Sequence, residues 1–294
     1  MSKFSKASLI LTILIFIAVV SYLIYKYALG EASNHQALQN QYSKDYRGQS
    51  KKAQQATIPP QNKDSNTNQV ANVVNSFSQK TEGDISIYYK NLTTNESLIL
   101  NPDQEYYMAS LYKIILALYL LDKVRNGKLA LEEKVGTSSA TLELAIEKII
   151  TESNSEYAIM LADQHGWLNI ENEMEKKLGI EFSFAKDLAI SVKNVGIIFE
   201  EIASPSKIPK SDSEYLLVLL GNQKLRSKLP KYLPSNIYSY NKTGEFEDYS
   251  HDAAIFYTPK ANYILIFMSK TKNPSFTNEQ MALMSKEIYE SLNK

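Results

Sequence analysis

Met108-Ala109-Ser110-Leu111-Tyr112-Lys113 opens a long apolar run, Leu111 to Arg125, whose composition predicts a helix. Ser110 and Lys113 are three residues apart, so they share one face of that helix, one turn from each other. A serine hydroxyl is a poor nucleophile until a neighbouring base takes its proton. A lysine amine serves if burial or nearby positive charge lowers its pKa. A helix N-terminus adds backbone N–H groups and the positive end of the helix dipole, which favour an oxyanion formed on attack. These features together suit acyl transfer. The bare Ser-x-x-Lys spacing has little discriminating value, because it also occurs at Ser183, Ser204, Ser239 and Ser269. Only Ser110 heads a long apolar helix behind a predicted hairpin.

Working outward, Val70, Val73, Val74 and Phe77 fall at helical spacing, and Asp84 to Tyr89 alternates like a strand. Ser97 to Leu100 reads as its hairpin partner across Asn91 to Asn95. Helices are predicted at Leu111 to Arg125, Leu142 to Thr151, Glu156 to His165, Asn169 to Leu178, Lys186 to Ala203 and Glu214 to Leu220. Strands return at Ile237 to Tyr240, Ala253 to Tyr257 and Tyr263 to Ser269. A last helix is expected from Thr277, with Thr277 and Gln280 as a capping box, to Leu292. This order is α+β. The simplest packing places both terminal helices on one face of a five-stranded antiparallel sheet, with the helical block as a second lobe.

The rest of the chain bounds the chemistry. Its 294 residues carry 32 basic and 32 acidic side chains, which argues against a nucleic-acid partner. With no cysteine, disulfides, thiolate catalysis and Cys-ligated metals are excluded. His35, His165 and His251 are the only histidines, far apart and without ligand neighbours, so no zinc site is expected. Ala7 to Tyr25 is uncharged and apolar, long enough for a single transmembrane helix. Lys3 and Lys6 before it place a short tip, residues 1–6, in the cytoplasm and the rest outside. Residues 7–29 then form a signal-anchor. A cleaved signal peptide with Ala28-Leu29-Gly30 at its cut site is the competing reading, and it exports the rest too. Residues 30–67 read as a flexible polar linker, or as a polar helical stalk through Gln36 to Gln55, and 68–294 as the folded domain.

Two further motifs complete the pattern. Lys242-Thr243-Gly244 is expected to end the strand that starts at Ile237, where Lys242 and Thr243 could bind a substrate carboxylate. Gly244 would let a ligand backbone approach closely. Ser153-Asn154-Ser155 joins two predicted helices, and a plain N-cap role there is compatible with a functional one. Each motif alone reads as ordinary structure.

In that order, the three motifs resemble those of the class A β-lactamases and penicillin-binding proteins, over about residues 68–294. Tyr106-x-Met108-Ala109-Ser110, Leu129-x-Leu131-x-Glu133-Lys134-Val135 and the stretch Arg226 to Pro234 support the likeness. With the anchor read from residues 7–29, the resemblance implies a serine hydrolase held at the membrane outside the cytoplasm. It makes Ser110 the acylated nucleophile, Lys113 its proton acceptor or relay, and Ser153 the proton donor to the leaving nitrogen. Ser155 would contact substrate, Lys242 and Thr243 would hold its carboxylate, and the N–H groups of Ser110 and Glu245 would bind the oxyanion. The implied substrates are β-lactams or the D-alanyl-D-alanine end of peptidoglycan stem peptides. No metal or organic cofactor is implied, and the sequence sets no oligomeric state.

Two departures stand out. The middle motif of class A enzymes reads Ser-Asp-Asn, whereas the third position here is Ser155. Those enzymes also carry a long loop with a glutamate that activates the hydrolytic water. Here only Ile180 to Phe184 separates Gly179 from Ala185, and Glu181 is its sole carboxylate, a poor candidate for that role. Acylation with poor turnover is therefore expected, and a catalytically weak peptidoglycan-binding or regulatory module is the rival. His251 and Asp252 do not form a Ser-His-Asp triad, since neighbours on a strand point to opposite faces. His251 reads as a solvated residue at a strand start, and Trp167 as packing.

Overall fold

The computed structural model describes residues 65–293. The expected anchor at 7–29, the tip before it and most of the linker lie outside them. No helix of the described residues is long and apolar enough to cross a membrane.

Helix α1 (Ser65–Lys80) leads into strands β1 (Asp84–Asn91), β2 (Ser97–Leu100) and β3 (Glu105–Tyr107). A 3-10 turn, Ala109–Leu111, precedes the helical lobe. That lobe consists of α2 (Tyr112–Arg125), α3 (Leu142–Thr151), α4 (Ser155–His165) and α5 (Trp167–Leu178). After β4 (Ala189–Ser191) come α6 (Val192–Ala203) and α7 (Lys210–Gly221), then β5 (Tyr238–Phe246), β6 (Tyr249–Tyr257), β7 (Asn262–Lys270) and α8 (Pro274–Leu292).

The main sheet is five-stranded, in the order β2-β1-β7-β6-β5, with every pair antiparallel. Strand β7 is buried on both faces, which explains its unbroken apolar run Tyr263 to Met268. Its Leu265 and Phe267 meet Val70, Val74, Met281, Met284 and Ile288 of the two terminal helices. Ile264, Ile266 and Met268 enter the larger core shared with the helical lobe. Both terminal helices therefore cover one face of the sheet, as the α+β reading requires. Helix α2 is buried almost all round, so its apolar residues make no single stripe.

Four local expectations change. The helix expected from Lys186 begins only at Val192, because Ala189-Ile190-Ser191 pairs with Tyr107, Tyr106 and Glu105 as a small second sheet. Ser191 then caps α6, its Oγ accepting from the Asn194 N–H at 3.3 Å. The last helix starts at Pro274, with Asn273 as its cap rather than Thr277; Thr277 is buried one turn in and bonds to Thr271 at 2.8 Å. Strand β5 runs through Lys242-Thr243-Gly244 to Phe246 instead of ending there, since each of these residues pairs with β6. His251 is not solvated: it lies inside β6 at 0% exposure.

Candidate active site

The Ser110 turn is held from both sides. The Met108 N–H donates to the Leu188 carbonyl at 2.6 Å, and the Leu111 N–H donates to Met108 O at 3.0 Å. His251 Nδ1 accepts from the Ser269 N–H at 3.2 Å, which leaves its Nε2–H to donate to Tyr107 O at 2.8 Å. Burial lowers the His251 pKa to about 4, so the ring is neutral and serves as a strut between β6 and the Ser110 turn. Ala109 sits at φ 45°. A non-glycine residue there is strained, and the clamps on either side hold it.

Gly244 explains the closeness of β5 to this turn. A Cβ at that position would lie 3.0 Å from Met108 O and 3.3 Å from the Ala109 Cβ. The glycine therefore makes room for the turn that carries Ser110. Gly244→Ala is expected to destabilise the fold by about 1–3 kcal/mol through overpacking. Because the displaced element carries Ser110, acylation should slow roughly tenfold as well. Urea denaturation and an acylation time course on the same preparation check both effects.

Lys113 is the second residue of α2 and is wholly buried. Its Nζ is 3.0 Å from Ser110 Oγ, 2.9 Å from Ser155 Oγ, 2.6 Å from Ser153 O and 3.3 Å from Ser153 Oγ. Burial lowers its pKa from 10.5 to about 8. The helix junction divides its work among three neighbours. Ser153 takes a left-handed conformation, φ 58°, and Asn154 Oδ1 caps α4 by accepting from the Tyr157 N–H at 2.9 Å. Ser155, the first residue of α4, turns its hydroxyl to Lys113. The N-cap role thus falls to Asn154, and the two serines are left for the site.

Lys242 reaches the junction from the edge strand. Its buried Nζ donates to Ser153 Oγ at 2.8 Å and to Thr243 O at 2.9 Å. Burial first, and then the Lys113 charge, hold the Lys242 pKa well below its ordinary value. Ser110, Lys113, Ser153 and Lys242 therefore form one continuous chain of polar contacts. Ser155 joins it, and Gly244 touches the Ser110 turn. Thr243 is buried beside Lys242. The Glu245 side chain points elsewhere, pairing with Lys228 at 2.9 Å.

Among the described residues, none of the hydrogen bonds made by Ser110, Lys113, Ser153 or Lys242 goes to a carboxylate. Glu181 is exposed. Two carboxylates of α5 face the short segment after it: Glu175 accepts from Phe182 N–H at 2.9 Å, and Glu171 from Phe184 N–H at 2.6 Å. Phe184 packs on Tyr112 and Trp167 at ring separations of 6.0 and 5.9 Å. Aromatic rings thus pack beside the residue preceding Lys113, and Trp167 has the packing role expected of it.

Sequence reasoning missed the structural parts played by His251, Lys228 and Asp252. Lys228 falls within the Arg226 to Pro234 stretch noted above, but nothing there marks it as buried.

This fold is that of the β-lactamase and penicillin-binding serine hydrolases. Residues 66–292 match the Beta-lactamase enzyme family, and the chain belongs to it. A β-lactamase from Chitinophaga pinensis DSM 2588 superposes with a TM-score of 0.70 at 18% identity, over 77% of this chain and 100% of that one. PBP-A gives 0.69 at 19% identity, over 80% and 98%. A class A β-lactamase from Mycobacterium abscessus gives 0.68 at 12%, over 77% and 100%. No curated protein matches.

Proposed function

We propose that this protein is an acyl-transferring serine hydrolase that forms an ester on Ser110 with β-lactams or D-alanyl-D-alanine peptides and releases it slowly. The observation that carries this reading is the fully buried Lys113 amine, 3.0 Å from Ser110 Oγ. A neutral amine has two N–H donors and one lone pair. Two of the oxygens around it, Ser153 O and Ser155 Oγ, take the donors, and the lone pair is left for the Ser110 hydroxyl proton. As Ser110 Oγ bonds to the substrate carbonyl carbon, its proton passes to Lys113. The tetrahedral oxyanion is bound by the N–H groups of Ser110 and Glu245. When it collapses, the C–N bond breaks and the nitrogen takes a proton from Ser153 Oγ, which Lys113 or Lys242 replaces. The Lys242 and Thr243 side chains would draw the substrate carboxylate to the strand edge. PBP-A, a structural relative, is known as an acyl-enzyme complex with penicillin G in a mutant form.

Slow release follows because, among the described residues, no carboxylate is hydrogen-bonded to Ser110, Lys113, Ser153 or Lys242. In the Ser153-Asn154-Ser155 junction, the Ser155 hydroxyl has less reach toward a substrate amide than an asparagine would. The anchor at Ala7 to Tyr25 would hold the domain outside the cytoplasmic membrane, close to peptidoglycan. Protease accessibility of the domain in intact cells tests that placement.

The decisive experiment incubates the protein with a fluorescent penicillin and measures intact mass, with Ser110→Ala as control. The expected result is one stable adduct on the wild type and none on the variant. A folded wild type that forms no adduct would instead make the protein a binding module of the same fold. The pH profile gives a second check. With the Lys113 pKa at about 8, its neutral fraction rises from about 1% at pH 6 to about 50% at pH 8. The acylation rate should follow it, rising roughly 50-fold over that window and flattening above it. A flat profile from pH 6 to 8 would remove Lys113 as the base.

A further inference from the structure

Lys228 touches none of the four linked polar side chains of the site, although its own side chain is 1% exposed and sits against the strand that carries Lys242 and Gly244. Its Nζ donates to His251 O at 3.0 Å and lies 3.4 Å from Gly244 O and 2.9 Å from Glu245 Oε1. The same Glu245 oxygen accepts from Asn278 Nδ2 at 3.2 Å. Asn278 Oδ1 in turn accepts from Ser250 Oγ at 2.6 Å. Asp252 fixes the origin of the lysine: it is wholly buried and accepts from the Leu229 N–H and from Asn241 Nδ2, each at 3.0 Å.

Two of these contacts bear on one peptide unit, that between Gly244 and Glu245: one to its carbonyl and one to the side chain of Glu245. The Gly244 carbonyl and the Glu245 N–H are the two ends of a single amide. A cation at the carbonyl end draws electrons toward it and leaves the N–H a stronger donor. At 3.4 Å the contact is long for a hydrogen bond. The charge–dipole attraction still acts at that distance, and it is strong where water is excluded. The Glu245 carboxylate, gripped by Lys228 and Asn278, stops the peptide from rotating away.

We propose that Lys228 is a positioning residue for the oxyanion donor, holding and polarising the Gly244–Glu245 peptide from the end opposite its N–H. The inference rests on the assignment of that N–H to the acyl oxygen in the function proposed above. Removal of the ammonium weakens a donor that matters most in the transition state, so acylation slows while formation of the initial complex does not. A simpler role would be to offset the buried Asp252 charge, and the two roles predict different outcomes.

The test uses penicillin labelled with 13C at the lactam carbonyl and isotope-edited infrared spectra of the acyl-enzyme, alongside acylation kinetics. Lys228→Met is expected to move the ester carbonyl band to higher wavenumber and to slow acylation about tenfold, with the dissociation constant of the initial complex unchanged. Because this variant leaves Asp252 buried without its nearest countercharge, the double variant Lys228→Met/Asp252→Asn is measured beside it. Recovery of thermal stability in the double variant, with the band still shifted and acylation still slow, supports the proposal. An unshifted band in Lys228→Met overturns it, as does restoration of both readouts in the double variant. Absence of any ester band in the wild type would overturn the acyl-enzyme reading itself, before any variant is compared.

Discussion

Replacement of Lys113 by methionine slows acylation of Ser110 by about 10²–10⁴-fold, the range a lost general base costs, and leaves the domain folded. The two halves of this expectation have separate causes. The amine is the one basic group in hydrogen-bond contact with Ser110 Oγ among the described residues, so its loss leaves the serine proton without an acceptor. Stability behaves differently because a buried ammonium is costly to desolvate, as its lowered pKa records. Methionine keeps the unbranched shape of the side chain, one atom shorter, and removes that cost. Ser153 O and Ser155 Oγ lose a donor, a penalty of about 1–3 kcal/mol each that the relief partly offsets. The thermal midpoint should therefore move by only a few degrees, and circular dichroism follows it. Acylation within about threefold of the wild type would mean that another group takes the proton, and Lys242 acting through Ser153 would become the candidate.

A chromogenic β-lactam gives a burst of one equivalent per active site, followed by turnover below about 0.01 per second, against about 10 per second for an ordinary enzyme. Attack of water on the Ser110 ester needs a base placed beside the ester on the side from which water comes. In the segment from Gly179 to Leu188 the carboxylates are Glu181 and Asp187, and Asp187 lies 3.7 Å from the Lys186 ammonium, with no hydrogen bond to Ser110, Lys113 or Ser153. Glu181 is exposed, and Glu171 and Glu175 are engaged by backbone N–H groups of that same segment. Phe182 and Phe184 are buried there, with Phe184 against Trp167. Stopped-flow absorbance resolves both phases. Linear hydrolysis from the first turnover, at a rate near that of ordinary enzymes, would mean that a base reaches the ester after substrate binds.

Most of the architecture was legible because local pattern and final burial agree. The apolar run of β7 is long and bounded, the terminal helices carry regular apolar spacing, and α2 is too hydrophobic to lie anywhere but inside. The misses occur where a tertiary partner overrides local preference. Ala189 to Ser191 follows Lys186-Asp187-Leu188 in a stretch that suits a helix, yet it is a strand because β3 needs a partner. Strand β5 continues past Gly244 because β6 pairs with it as far as Phe246. His251 looked solvated because its neighbours are polar, while the fold brings Tyr107 O and Ser269 N–H to its ring.

By itself, the sequence determined which side chains are available for chemistry and in what order they occur: Ser110 and Lys113 on one helical turn, Ser153 and Ser155 at a helix junction, Lys242 and Gly244 on a strand. Spacing within a turn sets direction, so the Ser110–Lys113 pair is readable without coordinates. Tertiary structure alone decided what lies against what across long sequence distances. It set Lys242 on Ser153, fitted Gly244 under Met108, and placed Lys228 at the far end of the Gly244–Glu245 peptide. Those contacts come from packing one lobe against one sheet edge, and no local propensity encodes them.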